Sequence, residues 1–276
     1  MLLLIALQEG ARLVRIHPTA VVSSQANLAD SVLVGPYAII EAQAELAAGV
    51  RIGPHAVVRS HVLLAEGVRV DAHSVLGGEP QDLSHQGAST RLEVGRRTVI
   101  RESAIVHRAT RTDRPTRIGA GCFLMGHSHV GHDCQLGDHV ILSHGAVLGG
   151  HVTVDAHAVI GGMAGVHQRV RIGRQAMVGG MAKVVRDVLP FSVVDGNPGS
   201  HRGLNTVGLR RSGIDMDDYR ALRAIFHQLR DKRHPAGTSE NGMVAEVTAF
   251  LTAPSRRGIS PFHVPPSTER AADADR

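Results

Sequence analysis

The sequence predicts a left-handed parallel β-helix written in six-residue units from about Ile16 to about Leu189, followed by a small α-helical C-terminal domain. Three observations carry that prediction. An aliphatic residue recurs every six positions, a small or β-branched residue tends to sit four positions after it, and the chain has no Trp, two Tyr and five Phe with which to fill a broad core.

Stepping by six from Ile16 to Val184 visits 29 positions, of which 26 are Ile, Leu or Val; the exceptions are Asp82, Ala88 and Thr112. An amphipathic helix needs a period of 3.6 and an ordinary strand a period of 2, so neither produces this pattern. One inward aliphatic per hexad suits one face of a triangular prism, and three hexads, roughly 18 residues, then close a coil. The fourth position after the aliphatic holds Ala20, Ala38, Ala56, Ser74, Thr98 and Ala146, small enough for the inside of a corner. Glycine commonly follows the aliphatic, as at Gly35, Gly53 and Gly173, where the backbone is expected to turn. Cys122 and Cys134 occupy the small position, which points to packing and gives no disulfide framework.

Two polar segments, 82–93 and 112–117, interrupt the pattern without shifting its phase, and are expected to leave the prism as loops. The repeat stops at Pro190, and Gly196-Asn197-Pro198 reads as a turn. From Asp215 onward, Tyr219, Leu222, Ile225, Phe226 and Leu229 follow helical spacing, with Asp217 and Asp218 suited to a first turn. A second helix is expected from Ser239, with Val244, Val247, Phe250 and Leu251 on one face. The organisation is therefore a β-helix over 1–190, helices over 191–264 and a disordered tail over 265–276.

The formal net charge is only +5, and no run of five or six Lys/Arg occurs, so nucleic acid is not an expected partner. The apolar start from Met1 to Leu7 lacks a basic segment before it and a cleavage site after it, so a signal peptide is not expected. No stretch approaches the ~18 apolar residues of a membrane span. A cytoplasmic location follows as the expectation.

Chemistry is expected among the 18 histidines. His132 and His151 are one coil plus one residue apart and His151 and His167 one coil minus two, which predicts a column of three rings on one edge. Such a column suits substrate binding or general-base chemistry. His139, His144 and His157 read as polar corner residues. Asp133 follows His132 directly, and a neighbouring carboxylate can fix an imidazole tautomer. Two other readings stand beside this one. A zinc hydratase on the same prism would draw its ligands from His107, His127 and His132, and a non-catalytic trimeric scaffold would leave the column merely solvated.

The segments His129-Val130-Gly131-His132-Asp133-Cys134, Ile160 to Gln168 and Gly208-Leu209-Arg210-Arg211, with Gln81-Asp82-Leu83 and Thr90-Arg91-Leu92-Glu93, resemble the UDP-N-acetylglucosamine O-acyltransferases that begin lipid A synthesis. The resemblance covers the repeat, both loops and the helical end. It implies a homotrimer, an acyl carrier protein thioester as donor, a UDP-sugar acceptor and no further cofactor. By position it implies His132 as general base, Asp133 as its support and the Gly150 N–H at the oxyanion. It assigns Asp82, His129, His151, His167, Gln168, Asn205 and Arg211 to substrate binding, and Gly180 to the limit on acyl length. Three positions depart from the family pattern: Ser84 replaces a Lys, Val207 a Glu and Ser212 an Arg.

Overall fold

The computed structural model describes residues 15–232 and 241–263. Its 28 short strands form three sheets of 11, 9 and 8 strands, the faces of a left-handed parallel β-helix. A typical two-residue strand contributes one inward aliphatic, because a strand's alternate side chains face opposite sides, and the three-residue strands Val62–Leu64 and Leu92–Val94 contribute two. Leu142 pairs with Ile160 in register, 18 residues on, and Leu148 with Val166 likewise. The stacked aliphatics Val34, Ile52, Val70, Ile100, Leu124, Leu142 and Ile160 are each at most 4% exposed. Ile16, in the first coil described, is 44% exposed.

Cys122 and Cys134 are buried free thiols of this core. Burial pushes them up to about 11 and about 12 respectively, so neither offers a thiolate near neutral pH.

The corners carry the left-handed backbone, and glycine is not their main occupant. Seven of the corner residues with positive φ are histidines: His55, His61, His73, His127, His139, His151 and His157. His tolerates this conformation better than most side chains, so corner geometry accounts for much of the histidine content. The glycines after the aliphatics have a different cause. A Cβ on Gly53 would lie 2.9–3.0 Å from backbone atoms of the next coil, so Gly53 permits the coils to approach rather than the chain to turn.

Both insertions leave at the same corner. Leu76 pairs with Val106 and Val106 with Val130, so one coil gains 12 residues and the next gains 6 while the phase survives. The excursions lie earlier than the polar pattern suggests, falling between Gly78 and Leu92 and between His107 and Thr116. Leu92 and Glu93 already pair with Val62 and Leu63, and Thr116 and Arg117 with Leu92 and Glu93, because each segment must rejoin the ladder to satisfy its backbone.

After the last coil, Ser192–Asp195 and Ser200–Leu204 form an antiparallel pair around the 196–199 turn. Helices α1 (Thr206–Arg211), α2 (Met216–Arg230) and α3 (Gly242–Thr252) follow. Helix α1 was not legible from spacing, being under two turns long. Asp215 caps α2 by accepting from the N–H groups of Asp217 and Asp218, while Leu222, Ile225 and Phe226 bury its apolar face. Helix α3 starts after Asn241, which caps it; Ser239 and the 265–276 tail lie outside the described residues. No described helix is long and apolar enough to cross a membrane.

Helices and coils are joined by ion pairs with aromatic support. Arg171 meets the fully buried Asp187 at 2.7 Å and lies 4.3 Å over the Phe250 ring, and Arg174 meets Glu246 at 2.8 Å. His201 locks the same junction, accepting from the Leu189 N–H at Nε2 (3.0 Å) and donating from Nδ1 to the Ser260 carbonyl (2.9 Å). Burial lowers its pKa from 6.5 to about 4. The unfolded chain therefore binds this proton first as pH falls, so stability present above pH 6.5 is lost between 6.5 and about 4. That shift amounts to about 3 kcal/mol, and thermal melts of the wild type should fall across this window while His201→Asn should show a flatter pH dependence.

Candidate active site

The corner that receives both insertions also holds His132, Asp133 and His151. His132 and Asp133 follow the strand His129–Val130, and His151 follows Val147–Leu148. The coil register stacks Gly150 over His132 and His151 over Asp133; the His151 N–H bonds the His132 carbonyl at 2.8 Å. With no side chain at Gly150, the His132 ring occupies that space and meets His151 edge to face, with ring centroids 5.1 Å apart.

Asp133 fixes the state of His132. Burial alone would raise the Asp133 pKa, but hydrogen bonds from His132 and Thr110 outweigh it and bring it to about 2. An ionised carboxylate only accepts, so the 2.7 Å contact with His132 Nδ1 requires a proton on Nδ1. The neutral ring then carries its lone pair on Nε2, on the Gly150 side. Asp133 is itself held on three sides: the Thr110 N–H and hydroxyl donate to its carboxylate at 3.0 and 2.8 Å, and its own N–H donates to Thr116 Oγ1 at 2.8 Å.

Thr110 and Thr116 escape sequence reasoning because the insertion between them puts them 23 and 17 residues before Asp133, off the coil spacing. We expect Thr110→Val to lower kcat roughly tenfold, the scale of one lost hydrogen bond to a charged group. KM should be unchanged, and a steeper loss at acid pH should reveal the less stabilised carboxylate.

Asp82 arrives from the longer insertion, held by the Ser84 N–H (2.9 Å) and hydroxyl (2.7 Å), which keep its carboxyl below the usual carboxylate range. Its carboxylate, His132 and His151 each bring one donor atom within 4.8 Å of the others. Burial lowers the His151 pKa, with Asp133 opposing the shift at 3.7 Å. The cluster thus offers a base, its anionic support, two further polar groups and the Gly150 N–H, which donates to no acceptor among the described residues.

Other sequence-predicted residues lie apart from this cluster. His167 is not the third ring of a column: being one coil minus two from His151, it falls back onto the end of the preceding strand. There its Nδ1 meets Arg257 Nη2 at 2.7 Å, and the Gln168 carbonyl accepts from Arg257 Nε at 2.9 Å. His129 faces His107 on the second sheet with centroids 5.1 Å apart, and burial lowers both. The set His107, His127 and His132 does not converge, since His107 turns to His129 and His127 to His144. Asn205 caps α1 and donates to the Gln175 carbonyl, while Arg211 lies exposed in the last turn of α1. Gly180 lies on an exposed corner, where an added Cβ would meet only the Gly162 carbonyl oxygen, at 3.4 Å. Of the departures, Ser84 binds Asp82, Ser212 bonds the Leu209 carbonyl at the end of α1, and Val207 is exposed.

Known proteins match both halves of this architecture. Residues 187–260 match the model of "Udp N-acetylglucosamine O-acyltransferase; Domain 2", and residues 115–150 match the six-repeat bacterial transferase hexapeptide model. A Synechocystis acyl-[acyl-carrier-protein]--UDP-N-acetylglucosamine O-acyltransferase is 42% identical over 152 residues, 55% of each protein, so this match spans about half of that relative. The enzyme of the same name from Akkermansia muciniphila is 44% identical over 255 residues, 88% of this chain and 98% of its own length. Among solved structures, the UDP-N-acetylglucosamine acyltransferase from Campylobacter jejuni superposes with a TM-score of 0.80 at 31% identity, over 90% of this chain and 100% of that one. On the repeat, the corner site and these likenesses together, the chain belongs to the UDP-N-acetylglucosamine O-acyltransferase family.

Proposed function

We propose that the protein transfers a 3-hydroxyacyl group from an acyl carrier protein thioester to the 3-hydroxyl of UDP-N-acetylglucosamine, opening lipid A biosynthesis in the cytoplasm. The observation that carries this reading is the His132–Asp133 pair, with Nδ1 committed to the carboxylate at 2.7 Å and Nε2 left as the base. Nε2 takes the proton of the sugar hydroxyl as its oxygen attacks the thioester carbonyl. The oxyanion forms against the Gly150 N–H, the carbon–sulfur bond breaks, and His132 returns the proton to the leaving thiolate. Asp133 stabilises the transient imidazolium without accepting the proton outright. No cofactor is needed, since the thioester supplies the activated acyl group.

His151 and Asp82 border the base and are assigned to the acceptor sugar; His129, His167 and Gln168 to the remaining acceptor or acyl chain; Asn205 and Arg211 to the nucleotide. Because the last two groups lie apart from the cluster within one chain, we assign the complete site to a homotrimer, with neighbouring prisms supplying them. The open surface beside Gly180 supports a long acyl chain. Ser84 completes the Asp82 turn but adds no positive charge for the diphosphate.

Mass spectrometry of products from acyl carrier protein thioesters of graded length, with UDP-N-acetylglucosamine and its 3-amino analogue as acceptors, tests the reading. We expect an ester on the hydroxyl sugar, with preference for a long 3-hydroxyacyl chain. No acylated product from either acceptor, with the protein folded, overturns the assignment, and product from the amino sugar alone replaces the ester by an amide.

A further inference from the structure

We propose that Asp82, His132 and His151 form a binding site for Zn²⁺, and that zinc there and acyl transfer exclude one another at His132 Nε2. Zinc binding rests on geometry alone; its inhibitory consequence rests on the acyl-transfer reading above.

Two imidazoles and one carboxylate are a donor set typical of zinc, and three protein ligands leave a fourth position for water. The donor atoms already lie within 4.8 Å of one another, the one such group of three among the described residues. Zinc bonds of ~2.0–2.2 Å place tetrahedral ligands roughly 3.4 Å apart, so the set must close by roughly an ångström. The coils fix His132 and His151, whereas Asp82 sits on a loop whose next residue, Leu83, is fully exposed, so the carboxylate is the ligand free to move.

The surroundings supply what metal ligands need. His132 donates its Nδ1–H to Asp133 at 2.7 Å, the carboxylate–histidine pairing that orients a ligating ring and raises the basicity of its other nitrogen. Asp82 has its Oδ1 engaged by Ser84, which leaves Oδ2 for a cation. The His132 and His151 side chains are 10% and 26% exposed, so the site is shielded on the coil side and open outward. The same tautomer that makes Nε2 a base makes it a ligand, and one lone pair cannot serve both. The other close histidine pairs, His55 with His73, His107 with His129, His127 with His144 and His139 with His157, belong to no such group of three donors among the described residues.

Calorimetric titration of Zn²⁺ into the metal-free full chain tests the site, with Asp82→Asn, His151→Gln and, as a control pair remote from it, His73→Gln. We expect one tight zinc per chain, affinity lowered at least tenfold in both site variants and unchanged in His73→Gln, and competition by UDP-N-acetylglucosamine. No tight zinc, or zinc held with unchanged affinity by Asp82→Asn and His151→Gln when melting curves show both folded, overturns the site. A parallel assay should show acyl transfer lost with zinc and restored by chelator. Transfer that continues with zinc bound overturns the exclusion. Tight zinc in a protein that transfers no acyl group would overturn the functional reading and leave the site standing.

Discussion

Replacing His132 by alanine is expected to cut acyl transfer by about 10²–10⁴-fold, the usual contribution of a general base. Nothing else in the cluster can take over. His151 contacts the same carboxylate only at 3.7 Å, and burial lowers its basicity. Asp133, at a pKa of about 2, is too weak a base for a sugar hydroxyl. The fold should survive, because the His132 ring lies at a corner against Gly150 and His151 while the aliphatic stack beneath it is untouched. Initial rates at saturating substrates, paired with a melting curve, separate the two effects. A variant that melts like the wild type and keeps turnover within tenfold of it would remove His132 from the mechanism.

The aliphatic period exposed the β-helix because each hexad repeats the same burial problem, and its unbroken phase placed His132 and His151 at one corner of adjacent coils. The period could not place His167, because two residues of slip at a corner change which side of the turn a side chain leaves from. It also read the glycines as turn residues, whereas most left-handed corner positions are taken by other residues, histidine the commonest among them, and Gly53 serves the close approach of coils. A high histidine count is therefore mostly not chemistry: His55, His61 and His73 share the corner conformation of His151 without sharing its neighbours, as do His139 and His157, which the sequence already marks as corner residues. The supports of Asp133 were illegible for the opposite reason. Thr110 and Thr116 flank an insertion, and nothing in their spacing announces that the chain brings both back to one carboxylate. His132–Asp133 itself was legible as adjacency, but only the fold shows that the two side chains converge rather than diverge.

The second large effect is expected at Gly150, where alanine should lower kcat by about 10²-fold or more, on the scale of losing an oxyanion donor and misplacing a base. The φ of Gly150 is not in the left-handed region, so the backbone tolerates alanine, and the cost is one of space. A Cβ there would come within 2.5 Å of His132 Cε1 and Nε2. The ring cannot slide aside cheaply, since its far nitrogen is tied to Asp133 at 2.7 Å and its edge abuts His151. Either the His132–Asp133 bond breaks, which frees the tautomer, or the coil carrying Gly150 shifts and takes the N–H away from the developing charge. The two routes separate experimentally. Loss of the Nδ1 bond should appear as a displaced, exchange-broadened imidazole proton in NMR spectra, with kcat reduced and KM nearly constant. A coil shift should leave that proton in place while lowering the affinity of the sugar nucleotide. Wild-type kcat in Gly150→Ala, which keeps the backbone N–H, would mean that the His132 ring is not confined by the Gly150 corner.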